Sequence, residues 1–228
     1  MEAGEMTTSE IRVQPMNLED LAGAAAVIAE SFRNEGFTRA IWNLSTPAQR
    51  QRYVDAGTLR LLLAHHTGQQ VMTAIREGAI VGVGIVKTPG AIPVVPWYRL
   101  AGMMVRGAPH WLRALPDFRW RRMVQIIPAM KLTTEPPKPY YTLDILAVSS
   151  AAQGQGVGRR LLDHIHAQCD RDAQASGIYL FTGDERNTHI YRRFGYEALE
   201  VKQTEPLTVW HMFRPHPARD AEDRKSVV

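Results

Sequence analysis

The chain has 228 residues, of which 45% are hydrophobic and 8% aromatic, as is usual for a globular protein with a sizeable core. Its net charge is +4, and its single cysteine, Cys169, excludes an intramolecular disulfide. No apolar run reaches the roughly 18 residues that span a bilayer, and no signal-peptide pattern opens the chain. We therefore expect a cytoplasmic protein without a membrane partner, and without a nucleic-acid partner because no nucleic-acid-binding motif accompanies the basic excess.

The first elements predicted are a short strand and an amphipathic helix. Residues 1–9 are small and polar, so we expect them to be disordered. Alternation predicts a strand at residues 11–14. Asn17 is a suitable helix cap, and apolar residues then recur at helical spacing from Leu21 to Phe32.

A second helix is indicated by a capping box. Thr46 stands at the cap, Pro47 at the first helical position and Gln49 at the third, and the helix is predicted to end near His66. The adjacent His65 and His66 point to different faces of a helix. We therefore predict no metal site there.

Two β-branched runs, residues 71–75 and 79–87, predict a hairpin that turns at Gly78. Gly82 and Gly84 alternate with valines in the second run. Because glycine weakens a strand interior, this pattern favours a bulged edge strand.

Residues 88–139 contain nine prolines and many bulky side chains, which predicts an inserted segment of short helices broken by turns. Aromatic and methionine side chains beside an active site bury apolar ligand surface and adapt to its shape. Trp97, Trp111 and Trp120 are therefore candidate substrate-binding residues. The alternative, that they only pack the segment onto the sheet, stays open.

The most informative stretch is an apolar run at residues 143–148 followed by three alternating glycines and a helix pattern. Gly154, Gly156 and Gly158 can expose backbone N–H groups at the positive end of that helix, which suits a phosphate. The spacing fits neither the dinucleotide fingerprint nor the P-loop. On the helix that follows, Cys169 falls on the apolar stripe and is predicted to be a core residue.

The C-terminal third predicts a strand at 178–182, a helix carrying Asn187 and Tyr191 that ends at Gly195, and a terminal hairpin. Residues 215–228 are charged and without pattern, which indicates a tail.

These motifs carry a family resemblance. The run from Gln153 to Gly158 resembles the acyl-CoA signature of the GNAT superfamily of N-acetyltransferases, and Asn187 and Tyr191 resemble the family's later motif. With Trp210 and Met212 the pattern is closest to the puromycin N-acetyltransferase-like subgroup. The resemblance implies one domain over 10–214 with an α/β (α+β) GNAT fold. In that fold a mixed, mostly antiparallel twisted sheet carries helices on both faces and splays in a V between strands 4 and 5.

The resemblance also implies that acetyl-CoA is the co-substrate, without a metal. The main chain of strand 4 would hold the pantetheine, the glycine loop would hold the pyrophosphate, and the Asn187 side chain would bond the pantetheine arm. The residues so implied are Leu146, Ala147, Val148, Gln153, Gly154, Gln155, Gly156, Val157, Gly158, Arg159 and Asn187. Tyr191 is at the family's usual position for the acid that protonates the leaving thiolate.

The general base is less well defined by the sequence. Asp144 is the one carboxylate inside an apolar strand, where burial would tend to raise its pKa, so it is the first candidate. Glu135 and His110 are weaker candidates, and some relatives use water or a base elsewhere.

The predicted function is direct acetyl transfer to the amine of a small molecule that resembles an antibiotic or a metabolite. The alternatives are acetylation of a protein or peptide amine and a catalytically silent acyl-CoA-binding module. O-acetylation, a longer acyl chain and a homodimer all stay open.

Overall fold

Strands and helices alternate along the chain in a computed structural model that describes residues 10–90, 97–205 and 207–218. None of the described helices is long and apolar enough to cross a membrane. The elements are β1 Arg12–Pro15, α1 Leu21–Phe32, α2 Gly36–Ile41, α3 Pro47–His66, β2 Gln70–Arg76, β3 Ala79–Lys87, α4 Trp97–Ala114, α5 Trp120–Met130, β4 Tyr141–Val148, α6 Val157–Arg171, β5 Gly177–Thr182, α7 Glu185–Arg192, β6 Glu197–Thr204 and β7 Leu207–Pro215.

The seven strands form one sheet in the order β1-β2-β3-β4-β5-β7-β6. Every neighbouring pair is antiparallel except β4 and β5, which run parallel and are paired only at Tyr141 with Ile178 and Thr142 with Tyr179. Beyond Thr142, β4 continues to Val148 without a strand on that side. The sheet therefore opens in a V, and the predicted GNAT fold with its splay between strands 4 and 5 is confirmed.

Helices cover both faces of the sheet. On one face α6 contributes Leu161, Ile165 and Cys169 to the larger core cluster. On the other face α1 and α3 contribute Ala25 and Leu61 to a second cluster. Cys169 is a core residue as predicted, and burial raises the pKa of its thiol to about 12.

The glycines of β3 correct one prediction. The hairpin turn is as expected, with positive φ at Glu77 and Gly78, but β3 lies inside the sheet between β2 and β4 and is not an edge strand. A Cβ on Gly82 would stand 2.7 Å from Cγ1 of Val157. Gly82 is therefore needed because the first turn of α6 packs directly on β3.

The segment between β3 and β4 forms longer helices than its prolines suggest. Pro109 lies inside α4 and Pro128 inside α5. Each proline removes the hydrogen bond to the carbonyl four residues earlier. Those carbonyls belong to Val105 and Val124, which are exposed residues where water can replace the lost partner.

The ends of the chain lie mostly outside the described residues, including residues 1–9, for which disorder is predicted, and 219–228 of the predicted tail. The last strand reaches Pro215, and the N–H of His216 donates to the Ser176 carbonyl at 2.8 Å. Ordered structure therefore extends slightly past the predicted start of the tail.

Candidate active site

A cleft with a volume of about 670 Å³ opens where β4 and β5 separate. It lies between the end of α1, the open edge of β4, the glycine loop with the start of α6, and α7. Predicted cofactor-binding or catalytic residues that line it are Leu146, Val148, Gln153, Gly154, Gly156, Val157, Gly158, Arg159, Asn187 and Tyr191. One cleft thus collects residues from three separate parts of the sequence.

The glycine loop leads into the N-terminus of α6, which has no side-chain cap. Gly154 and Gly156 have φ of 74° and 82°, a conformation that glycine adopts without strain. Gly156 is the N-cap of α6 and supplies no side-chain cap, so the first N–H groups of the helix face the cleft without an intrahelical partner. These groups, the helix dipole and the nearby Arg159 and Arg186 suit a phosphate or pyrophosphate.

The open edge of β4 offers backbone donors to the cleft. The N–H of Ser149 donates to the Val81 carbonyl of β3, so the preceding N–H, that of Val148, points away from β3. It donates to Ser31 Oγ at 3.4 Å. Because direction alternates along a strand, the Leu146 N–H points to the same open side.

Hydrogen bonds join the end of α1 to the residues at the end of β4. Glu30 Oε1 accepts hydrogen bonds from both the N–H, at 3.2 Å, and the hydroxyl of Ser150. The hydroxyl bond is the main reason why the pKa of Glu30 lies below its usual value. Together with the Ser31 contact, these bonds join the end of α1 to the end of β4, beside the cleft that Ser31, Phe32 and Asn34 line.

Together with Asp184, Glu35 is one of two carboxylates among the residues that line the cleft. Its Oε2 caps α2 by accepting from the N–H groups of Phe37 at 2.9 Å and Thr38 at 3.3 Å. Burial raises the pKa of Glu35, the Asp184 charge adds to the rise, and the capping hydrogen bonds oppose it. A Cβ on Gly183 would stand 2.9 Å from Glu35 Oε1, so the absence of a side chain there lets the carboxylate approach β5.

The helix α7 supplies the polar groups on the opposite wall. Asn187 Nδ2 donates to Thr182 Oγ1 at 3.3 Å, which orients the amide. Tyr191 lines the cleft, and its ring contacts that of Tyr196 with 5.5 Å between centroids. Burial, and then the Glu35 charge, raise the pKa of Tyr191 to about 12, so the phenol keeps its proton at neutral pH.

A second cavity of about 310 Å³ adjoins the cleft, and the two share Phe32 and Glu35. Its walls are mainly apolar and aromatic, with Phe37, Trp42, Tyr53, Met130, Ile145 and Phe181 among them. Glu35 therefore stands between a cleft suited to a phosphate-bearing ligand and a pocket suited to an apolar one.

Asp144 lines neither cavity, although its partner Arg60 and its neighbour Ile145 line the apolar pocket. Its Oδ2 is 2.6 Å from Nη2 of Arg60 and 3.0 Å from Nζ of Lys87. Two cations therefore share this carboxylate, and it is not among the residues that line the cleft or the apolar pocket. Of the weaker base candidates, His110 pairs with Asp55 at 3.0 Å and Glu135 pairs with Lys138 at 2.6 Å.

The remaining predicted residues lie around the cleft or away from it. Ala147 is fully buried, and Gln155 bonds to Arg76 and to the Ala151 carbonyl. Trp120 lines a different apolar pocket of about 240 Å³. Trp97 and Trp111 belong to α4, but their side chains lie outside the described structure.

Within the described residues, no group of three or more His, Cys, Asp or Glu side chains could hold a metal.

Glu35 is one of the site residues that the sequence analysis did not identify, and Ser31 and Arg186 are two others. The helix that Glu35 caps, α2, has only six residues and no clear amphipathic pattern. The sequence carries one weak signal for the start of α2, which is the acidic residue directly before Gly36. A single acidic residue is not enough to predict a helix of six residues.

Comparisons with known proteins agree with this geometry. Residues 124–198, from α5 to the start of β6, match the family model described as acetyltransferase (GNAT) domain. No curated protein sequence matches the chain.

Solved structures share the fold over most of their length. A structure described as histone acetyltransferase HPA2 and related acetyltransferase, from Corynebacterium glutamicum, is 22% identical with a TM-score of 0.61, covering 90% of this chain and 96% of its own. A GCN5-related N-acetyltransferase from Rhodopseudomonas palustris is 18% identical with a TM-score of 0.53, covering 93% and 99%. A ribosomal-protein-alanine N-acetyltransferase from Brucella melitensis is 18% identical with a TM-score of 0.52, covering 90% and 99%. The fold is that of the GNAT acetyltransferases.

Proposed function

We propose that the protein is an acetyl-CoA-dependent N-acetyltransferase that transfers acetyl directly to the amine of an apolar small molecule. The observation that carries the proposal is the position of Glu35 between the two cavities. On one side lies the cleft with the glycine loop, and on the other lies an apolar pocket of about 310 Å³. The match of residues 124–198 to the GNAT domain supports the same reaction class.

Acetyl-CoA fits the cleft by the chemistry of its lining. The free N–H groups at the start of α6, with Arg159 and Arg186, provide the positive surface that a pyrophosphate requires. The open edge of β4 can pair with the amide groups of a pantetheine chain as an added strand would. The Asn187 amide oxygen remains available because its nitrogen is bonded to Thr182.

Glu35 is our proposed general base. An alkylamine with a pKa near ~10.4 is mostly protonated at neutral pH, and the acceptor must lose this proton before its nitrogen can attack. The raised pKa of Glu35 makes this carboxylate a better proton acceptor than an ordinary glutamate. Asp144, the base first predicted, is shared between Arg60 and Lys87, which favours Glu35 for this role.

The remaining steps use the opposite wall and the strand edge. The amine nitrogen bonds to the thioester carbon, and the N–H groups on the open edge of β4 stabilise the negative charge on the carbonyl oxygen. The carbon–sulfur bond then breaks, Tyr191 gives its proton to the sulfur, and the nitrogen, now part of the amide, loses its second proton to solvent. Proton exchange with solvent restores Glu35 and Tyr191 for the next turnover.

The pocket supports a small acceptor. Its aromatic and aliphatic walls match the apolar body of a small amine, and a volume of about 310 Å³ is at the low end for drug-sized ligands. An aminonucleoside would agree with the resemblance to the puromycin-type subgroup, and a role in antibiotic resistance would follow from such a substrate.

The test is thiol release from acetyl-CoA in the presence of separate amine classes. The panel contains arylalkylamines, aminonucleosides, polyamines, aminoglycosides and lysine peptides. We expect release with apolar amines and little with polyamines or aminoglycosides, whose many charges the pocket does not match. Release with peptides alone would replace the small-molecule proposal by protein acetylation. CoA binding without release on any amine would favour the silent binding module.

A further inference from the structure

Three neighbouring cavities share lining residues in sequence. The cleft shares Phe32 and Glu35 with the apolar pocket of about 310 Å³, which we call the acceptor pocket. The acceptor pocket shares Trp42, Ala56 and Arg60 with the apolar pocket of about 240 Å³, which we call the second pocket. Among the described lining residues, the cleft and the second pocket have none in common. The acceptor pocket therefore lies between the other two, with Glu35 at one end and Trp42 at the other.

The second pocket is suited to an apolar group. It lies against α3, the end of α4 and the turn that links α4 to α5. Apart from Arg60, its described lining is hydrophobic or aromatic, with Leu59, Leu63, Leu115 and Phe118 among the residues. Such a lining can bury more of an apolar ligand than the acceptor pocket alone can hold.

Trp42 forms the wall between the two apolar pockets. Its ring contacts that of Tyr53 with 5.2 Å between centroids and that of Phe118 with 4.9 Å. Of the two pockets, Tyr53 lines only the acceptor pocket and Phe118 lines only the second pocket. The indole is therefore in contact with one ring from each side. The other shared residues contribute less movable groups, which are the methyl of Ala56 and the guanidinium of Arg60.

Hydrogen bonds hold this wall in place. The N–H of Trp42 donates to the Thr38 carbonyl at 2.8 Å, and Trp42 forms an isolated β-bridge with Phe118. Nη2 of Arg60 donates to Asp144 at 2.6 Å and to Gln69 at 2.9 Å. The bonds of Trp42 use its main chain, so they can persist when its side chain is replaced.

We propose that Trp42 sets the length of the acceptor by closing the acceptor pocket against the second pocket. In the proposed function, on which this inference rests, the acceptor amine lies at Glu35 and its apolar body fills the acceptor pocket. The acceptor is then a primary amine whose apolar body ends at the indole. Removal of the indole should join the two pockets and admit a longer body.

The experiment compares linear alkylamines from butylamine to decylamine as acceptors, with thiol release from acetyl-CoA as the measurement. For the wild type, kcat/KM should rise with chain length and then fall once the chain meets Trp42. In Trp42→Ala the optimum should move to longer amines. The ratio of kcat/KM for decylamine to that for hexylamine should increase at least about 10-fold, since each newly buried methylene strengthens binding roughly fourfold.

Two further variants make the comparison specific to the wall. Trp42→Phe keeps an aromatic ring and shortens the side chain only in part, so it should raise the same ratio by about 3-fold. Leu63→Ala is the matched control, because Leu63 lines the second pocket and neither of the other cavities. It enlarges the second pocket behind an intact wall and should keep the wild-type optimum. Thermal unfolding checks that each variant is folded, and Trp42→Phe decides the question if Trp42→Ala is not.

An unchanged chain-length optimum in the Trp42 variants would overturn the proposal. An equal shift in Leu63→Ala would also overturn it, because the acceptor of the wild type would then already reach the second pocket. An absence of thiol release with every amine would contradict the proposed function, and calorimetric titration of the same amines into the CoA-bound protein would then test Trp42 separately. A gain in the affinity for decylamine relative to hexylamine in Trp42→Ala would support the proposal. An unchanged ratio, or no amine binding, would overturn it.

Discussion

Glu35 is held at the junction of the two cavities by contacts that only the folded chain creates. Its carboxylate caps α2 and approaches the backbone of Gly183, which lies far away in the sequence. We predict that Glu35→Gln lowers kcat by about 100-fold, the lower end of the usual contribution of a general base. The acidic limb of the kcat profile should disappear with it. Glu19→Gln, at an exposed position, is the control and should leave both unchanged.

The ionised carboxylate of Glu35 should also lower the free energy of unfolding near neutral pH, because burial disfavours its charge. The folded-state pKa of Glu35 is raised, so its contribution to folding is fully present below the unfolded pKa and is lost as pH rises through the folded pKa. We therefore predict that Glu35→Gln is at least as stable as the wild type near neutral pH. Its advantage should shrink at mildly acidic pH. Urea unfolding at both pH values measures this, and a glutamine variant that is less stable at neutral pH would contradict it.

Partial burial raises the pKa of Tyr191 to about 12, so the phenol keeps its proton, and a protonated phenol is what the leaving thiolate needs. We predict that Tyr191→Phe lowers kcat by about 100-fold with little change in the dissociation constant of CoA. Steady-state kinetics and calorimetric titration provide the two readings. Tyr140→Phe, outside the cleft, should behave like the wild type, and a full-rate Tyr191→Phe enzyme would remove Tyr191 from the proposed chemistry.

At the scale of elements, the contact between β3 and α6 positions the glycine loop. A Cβ on Gly82 would meet Val157 Cγ1 at 2.7 Å and the Ala147 carbonyl oxygen at 3.3 Å, whereas a Cβ on Gly84 would meet its neighbours at 3.6 Å or more. We predict that Gly82→Ala destabilises the fold by about 1–3 kcal/mol and weakens CoA binding, because α6 must move. Gly84→Ala should be close to neutral in both. Urea unfolding and CoA titration of the pair test this, and equal effects would contradict it.

The elements that carry local signals were predictable. Three features can be recognised from a few neighbouring residues, and the structure agrees with each. They are the capping box at Thr46, the turn at Gly78 and the glycines before α6. The place of β3 inside the sheet was not predictable from glycine content, because the explanation is the distant side chain of Val157. The short α2 was missed for the related reason that tertiary contacts, more than its own pattern, stabilise it.

At the scale of the whole molecule, the cleft exists because β4 and β5 pair at only two positions. The sequences of β4 and β5 contain no signal for the position at which their pairing ends. The splay between them could therefore be expected only from the family resemblance. The same resemblance identified the groups from the glycine loop and α7 that now line one cleft. It could not identify Glu35 or the apolar pocket, since these depend on how α1 and α2 pack in this particular chain.

Binding of acetyl-CoA to the cleft through the N-terminus of α6 is tested most directly by the variant Gly158→Asp. A Cβ at this position makes only ordinary contact, 3.6 Å from Val148, and an aspartate in the first turn of a helix is compatible with the helix dipole. The variant should therefore fold normally while its carboxylate repels a pyrophosphate. Calorimetric titration of CoA should show one site in the wild type and binding at least about 10-fold weaker in Gly158→Asp. Equal affinity in both proteins, or no CoA binding by the wild type, would contradict binding of the CoA pyrophosphate at the N-terminus of α6.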